Sequence, residues 1–284
     1  METILVLMHV DAEATLGRAA LEALSAAAAL KGSLSGSTLA VGLVGDRTAA
    51  AAAKIGACGA DRWLAVEGAE FTQPRYGSDA AAAEALVAAA GATLVLAPGT
   101  SRWSRCLAGV AQRLDGRADT HVTSISVADG RVHVTRWFYR QRMEATLGRA
   151  QRPWFILVDP GCHEPWMGQP APVTPEAVSA TVSTRTGFLE YRAPAAGQQT
   201  IRPDAGLLFV AGAGWTKQQP DGKVHAPEAA ALILDFITRT QSSLGSSKSL
   251  VDLGADRAQR VGRGRFGKLA VIVATGLCPV AAAD

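Results

Sequence analysis

Residues 94–138 read LVLAPGTSRWSRCLAGVAQRLDGRADTHVTSISVADGRVHVTRWF, and three patterns follow one another along them. Leu94 to Ala97 is a short apolar run that breaks at Pro98-Gly99, the punctuation of a strand ending in a turn. Leu107, Val110, Ala111 and Leu114 then recur at helical spacing. After Gly116 the apolar positions alternate: Ile125 and Val127, a turn at Asp129-Gly130, then Val132 and Val134, the pattern of a β-ribbon closed tightly. Strand, loop, helix and ribbon in this order predict an α/β sheet with an excursion.

The chain upstream agrees. Ile4 to Met8 is a continuous apolar run, which suits a strand covered on both faces and therefore a parallel neighbour. A helical stripe of Leu16, Ala20, Leu21, Leu24 and Ala28 follows and ends in the Gly-Ser stretch 32–37. Strands are predicted at Leu39 to Val44 and Trp63 to Val66, helices at Ala49 to Ile55 and roughly Asp79 to Ala90, and a further strand at Phe155 to Val158. Parallel neighbours need crossover helices, so the alternation predicts a doubly wound sheet.

The 284 residues, nearly half of them apolar, suffice for two domains with separate cores. A net charge of +3 gives no clustered basic footprint of the kind nucleic acid requires. Cys58, Cys106, Cys162 and Cys278 lie far apart, with no CxxC pair and no His/Cys grouping, and read as reduced thiols. No basic-apolar leader precedes Ile4, and no apolar run approaches the ~20 residues that cross a bilayer, so a cytoplasmic protein is expected.

Prolines 165, 170, 172, 175 and 194 and the threonine-rich residues 181–186 mark residues 164–203 as a linker between domains 1–163 and 204–284. In the second domain Leu207 to Val210 is a strand running into Ala211-Gly-Ala-Gly214. A dinucleotide fingerprint would add a third glycine and an immediate helix; here Pro220-Asp221-Gly222 forms a loop and the helix starts near Pro227. Thr100-Ser101-Arg102 reads either as a phosphate cradle or as a helix cap.

These pieces resemble the electron-transfer flavoprotein α subunit family. Thr100, Ser101, Arg105, Arg113, Leu114 and Gly116 stand in its "TS-x-G-R" turn and "RL-x-G" helix end. Gly59 to Arg62 resembles its "GAD-(K/R)-V" phrase, and Thr135-Arg136 opens its "TRP-x-Y-G-G" phrase, from which Trp137, Tyr139, Arg140 and Gln141 depart. Gly245 to Gly254 resembles the flavin loop "GASR-x-x-VD-x-G", Val261 to Gly264 resembles "VGQTG", and Leu269 to Ala274 with Gly276 resembles "LYIA-x-G". Where the family's glycine turn supplies an arginine, this chain has Gly214 or Trp215; Lys248 replaces a second arginine, and Cys278 stands where a serine would be.

The resemblance implies a smaller, Rossmann-like flavin-binding second domain, C-terminally shortened. It implies FAD as cofactor, contacted by Ser247, Lys248, Gly262, Arg263, Gly264 and Cys278. It also implies that this α-type chain pairs with a β-type subunit, which packs on the first domain, and relays electrons from a donor dehydrogenase toward a quinone-reducing acceptor. Such a carrier needs no acid, base or nucleophile, and the five histidines are scattered, with His9 and His133 in strand-like runs that suit packing. The basic run Arg257, Arg260, Arg263, Arg265 and Lys268 reads as pyrophosphate contact or as a solvated face; aromatics are too scarce there for an RNA-binding tail. Two alternatives stand beside the carrier. One is a flavin-poor docking subunit of a dehydrogenase complex; the other is a nucleotide-binding α/β protein, for which Asp11 to Gly17 supplies no glycine-rich phosphate loop.

Overall fold

The computed structural model of the chain describes residues 1–139, 141–183, 185–190, 205–247 and 250. They fall into two compact units, Met1–Leu189 and Glu190–Asp284. No helix among the described residues is long and apolar enough to cross a membrane.

The first unit is built on β1 (Thr3–His9), α1 (Arg18–Ser33), β2 (Thr38–Gly45), α2 (Thr48–Lys54), β3 (Arg62–Glu67), α3 (Tyr76–Ala90), β4 (Leu94–Pro98) and α4 (Ser101–Arg113). It continues with β5 (Arg117–Ala128), β6 (Arg131–Phe138), β7 (Met143–Leu147), β8 (Trp154–Val158) and the two-residue β9 (Glu176–Ala177). The strands form one sheet in the order β7-β6-β5-β8-β4-β1-β2-β3-β9, with parallel pairing from β5 to β9 and antiparallel pairing only within the β5-β6-β7 excursion.

The continuous apolar strands are explained by what covers them. Ile4, Val6 and Met8 of β1 face a cluster containing Ala20, Ala23, Leu24 and Leu30 of α1 and Ala51 and Ala52 of α2. Leu5 and Leu7 face the other way, toward Ala83, Leu86 and Val87 of α3 and Trp103, Leu107 and Val110 of α4. Successive side chains of a strand point to opposite faces, so a strand buried on both sides must be apolar at every position. The two helical layers are the doubly wound arrangement that the sequence predicts.

Local signals place the ends. Gly91 adopts the left-handed conformation (φ 60°) after α3, and its amide reaches back to Val87 and Ala88. Asp129 (φ 51°) and Gly130 (φ 70°) both take positive φ, the two-residue turn whose twist matches a β-ribbon. The departure at Trp137 to Gln141 is also accounted for: the chain turns there and returns as β7, a third strand in the excursion, paired Phe138 to Met143 and Val134 to Leu147.

The proline-rich stretch begins on the first unit. Trp166 and Ala171 donate backbone hydrogen bonds to the carbonyls of Leu21 and Ala53, and β9 adds to the sheet edge at Leu64 and Ala65. Arg62 grips Glu176 through Nε and Nη2, at 3.3 and 2.8 Å. Prolines donate no amide, so the stretch is fastened by the residues between them, Trp166, Ala171 and Val178, whose amides bond the carbonyls of Leu21, Ala53 and Ala65.

The second unit contains β10 (Leu208–Ala211), a 3-10 turn (Ala213–Thr216), α5 (Ala226–Thr240) and β11 (Ser243–Ser246). β10 and β11 pair in parallel, Leu208 with Ser243 through Ala211 with Ser246, so strand, helix and strand form one βαβ crossover. Ala211, Ile233, Ile237, Leu244 and Leu250 make its core, with Phe209 packed against them. Gly245 and Ser246, read from sequence as the start of a loop, are the last residues of β11.

Candidate functional site

A doubly wound sheet offers a ligand the crevice beyond the carboxyl ends of two strands whose crossovers leave to opposite faces, here β1 and β4. In this chain side chains fill that crevice. Asp79, in the first turn of α3, has no exposed side-chain surface. Arg102 of α4 brings Nη2 to 2.7 Å from its Oδ1 and Nε to 3.1 Å from both oxygens, and Arg105 Nη2 stands 3.3 Å from Oδ2. Arg102 also donates to the carbonyl oxygens of Phe71, Thr72 and Gln73. Burial works to raise the Asp79 carboxyl, but the neighbouring His9 and Arg102 outweigh it and hold the group below the usual carboxylate range.

His9, the last residue of β1, stacks on the Trp103 ring with centroids 3.8 Å apart and planes 23° from parallel. Its Nε2 lies 3.5 Å from Asp79 Oδ1 and completes no hydrogen bond. Burial first, and the charges of Arg102 and Arg105 after it, push the imidazole down to about 4 against the opposing pull of Asp79. The ring is therefore neutral near pH 7. Of the two readings of Thr100-Ser101-Arg102 the structure supports the cap: Thr100 Oγ1 accepts from the Trp103 amide at 3.5 Å, and Arg102 turns inward to Asp79. After Val10, the Asp11 carboxylate accepts from the amides of Glu13 and Thr15 at 3.0 and 2.7 Å, occupying donors that a phosphate would use.

A second buried carboxylate, Asp119 of β5, accepts from Arg136 Nη1, Arg149 Nη2 and Trp154 Nε1, each at 2.8 Å. It ties the β5-β6 ribbon to β8. In both clusters the buried carboxylate is paired with arginines of the chain itself, so its charge is met internally.

The second unit is different. The carboxyl end of β10 opens into Gly212-Ala213-Gly214, and a groove of about 550 Å³ lies against it, lined by Gly212, Gly214, Trp215, Gln219, His225, Glu228, Ala229 and Leu232. Its volume is in the range of small-molecule sites, about 300–1,000 Å³. A Cβ added at Gly212 or Gly214 would meet no atom within 4 Å, so open space adjoins the turn. His225 precedes α5, and its Nε2 bonds the Asp221 carboxylate, which the Lys223 amide and this contact hold below the ordinary carboxylate range. Glu228 lies in the first turn of α5.

Of the residues predicted to contact a cofactor, Ser247 is described. It leaves β11 at the same edge as the glycine turn: its amide bonds the Ala211 carbonyl at 2.9 Å, and its hydroxyl accepts from the Leu250 amide at 3.3 Å. Lys248, Gly262, Arg263, Gly264 and Cys278 lie outside the described residues, as does the basic run from Arg257 to Lys268. Sequence reasoning passed over Gln219, His225 and Glu228. The available signal was the position of His225 and Glu228 around Pro227, at the start of a helix that follows a strand and a glycine turn.

Compared with known families, residues 4–186, more than half of the chain, match the electron transfer flavoprotein domain. No curated protein matches the chain.

Proposed function

Since the chain belongs to the electron transfer flavoprotein family, we propose that it is an α-type subunit. In this reading it carries FAD in its second unit, pairs with a β-type subunit, and relays electrons from a donor dehydrogenase toward a quinone-reducing acceptor in the cytoplasm. The observation that carries the reading is the βαβ crossover that follows the family-matched unit, with a glycine turn opening on a groove at the carboxyl edge of its parallel strands. Ser247 emerges at that same edge, which supports its assignment to the cofactor's surroundings.

The groove fits a flat ring, because it combines glycines without neighbouring atoms, an indole and an aliphatic wall. Bound FAD would supply reversible uptake of electrons, a chemistry that needs no general acid or base from the protein. The chain's own work is to seat the cofactor and shape the charge around it. Ser247 would offer a hydroxyl, Lys248 a cation, and Gly262, Arg263, Gly264 and Cys278 the remaining contacts.

A docking subunit without flavin is the second reading, and one observation favours it: among the described residues lining the groove there is no lysine or arginine. Co-expression with a β-type partner separates the two. A yellow complex with flavin bands, bleached by dithionite and weakened by Lys248→Ala, supports the carrier; a colourless, stable complex rejects it in favour of the docking subunit.

A further inference from the structure

The groove of the second unit carries a charge pattern that its place in the fold does not lead one to expect. A glycine turn between a strand and a helix is the usual seat of a phosphate, because helix N-terminal amides and the helix dipole favour an anion. Here Glu228 lies in the first turn of α5 and lines the groove, so a carboxylate already stands in the positive field that a phosphate would use. His225, the other ionisable lining residue, is tied to Asp221. No lysine or arginine is present among the described lining residues to offset that charge.

What the groove offers instead is aromatic and apolar surface. Trp215 is 38 % exposed, and Phe209 buttresses it with ring centroids 6.5 Å apart and planes 54° from parallel. Phe236 packs on Phe209 in turn at 5.5 Å, so the indole stands on a braced pair of rings. Leu232, 60 % exposed, supplies a wall one helical turn beyond Glu228. A large indole left partly exposed beside open space, with a second ring against it, is a stacking platform.

We propose that this groove takes a flat aromatic ring of the cofactor, isoalloxazine or adenine, against Trp215, and that Glu228 turns the cofactor's phosphates away from the helix end. The inference rests on the flavin reading above. It assigns the ring end of the ligand to the place where the pyrophosphate would ordinarily sit. The phosphates are directed out of the groove.

The test uses the full chain, purified alone or with its β-type partner and stripped of flavin. Riboflavin and FMN are titrated by flavin fluorescence anisotropy, adenosine and AMP by isothermal calorimetry, and FAD by both. Trp215→Ala is expected to weaken FAD and either riboflavin or adenosine about tenfold, the affected nucleoside identifying the seated ring, while Trp215→Phe retains most of the affinity. For that nucleoside, the phosphorylated form should bind the wild type no better than the free form. Glu228→Gln should strengthen the phosphorylated form about threefold and leave the free one unchanged. Circular dichroism confirms that the variants are folded.

Flavin binding that is indifferent to Trp215→Ala, or a phosphate preference that Glu228→Gln does not alter, overturns the inference and leaves the flavin reading standing. Binding of no flavin by the chain or its complex overturns both.

Discussion

The neutral His9 predicts a specific loss of stability in mild acid. Its folded pKa of about 4 lies below the ordinary value of 6.5. In the unfolded chain the ring takes a proton as the pH falls below 6.5, whereas in the native state it does so only near 4. The folded state thus binds fewer protons across this window, and its stability is full above pH 6.5 and declines as the pH falls from 6.5 toward 4. A gap of roughly 2.5 units at 1.36 kcal/mol each amounts to about 3 kcal/mol. The groups that face the ring are Asp79 from α3 and Trp103, Arg102 and Arg105 from α4. Asp79 titrates below the usual carboxylate range, so its own contribution is lost only in stronger acid. Urea unfolding of the first unit at pH 7.5, 6.5, 5.5 and 4.5 reads the effect, with His9→Gln as the comparison. The difference between wild type and variant should change by roughly 2.5 kcal/mol between pH 7.5 and 4.5, the remainder falling at lower pH. Parallel pH profiles, or an NMR titration of His9 with a midpoint near 6.5, would show that burial and the two arginines do not govern the ring.

Other sites yield their own tests. Asp119→Asn leaves Arg136 and Arg149 without their buried counter-charge and should cost about 3–5 kcal/mol in urea unfolding, with a loss of less than 1 kcal/mol contradicting the assignment. Gly116→Ala places a Cβ 2.3 Å from the Pro153 carbonyl oxygen, a backbone atom that cannot swing aside, so the melting temperature should fall by several degrees. By contrast Gly130→Asn keeps a residue suited to a left-handed turn and should leave the melting temperature within about 2 °C. Thiol labelling at pH 8, followed by peptide mass spectrometry, should modify the exposed Cys162 before Cys106, whose thiol burial and the Asp79 charge push up to about 12.

Much of the fold was legible because its signals are local. Apolar runs such as Ile4 to Met8 mark strands covered on both faces, and Gly91 and Asp129-Gly130 mark ends that only certain residues tolerate. The site was less legible because it depends on partners distant in sequence. Arg102 looks like an anion ligand until Asp79, 23 residues earlier, is brought within 2.7 Å of it. β7 was hidden because its half-exposed Met-Glu-Ala-Thr-Leu segment has no apolar run, and its pairing with β6 decides it. The contacts of Phe209 with Trp215 and with Phe236 likewise follow from the crossover of α5, which no spacing rule reports.

The position of β8 bears on how the chain is made. Its five residues enter the sheet last among the long strands, yet they occupy a slot between β4 and β5 and bond to both. On a ribosome, everything from Leu94 to Leu147 emerges while that slot is open, leaving two rows of unpaired amides and carbonyls on either side of a gap one strand wide. A product that terminates before Trp154 would keep the gap permanently, and the strand most suited to fill it would be the Trp154–Val158 segment of another molecule.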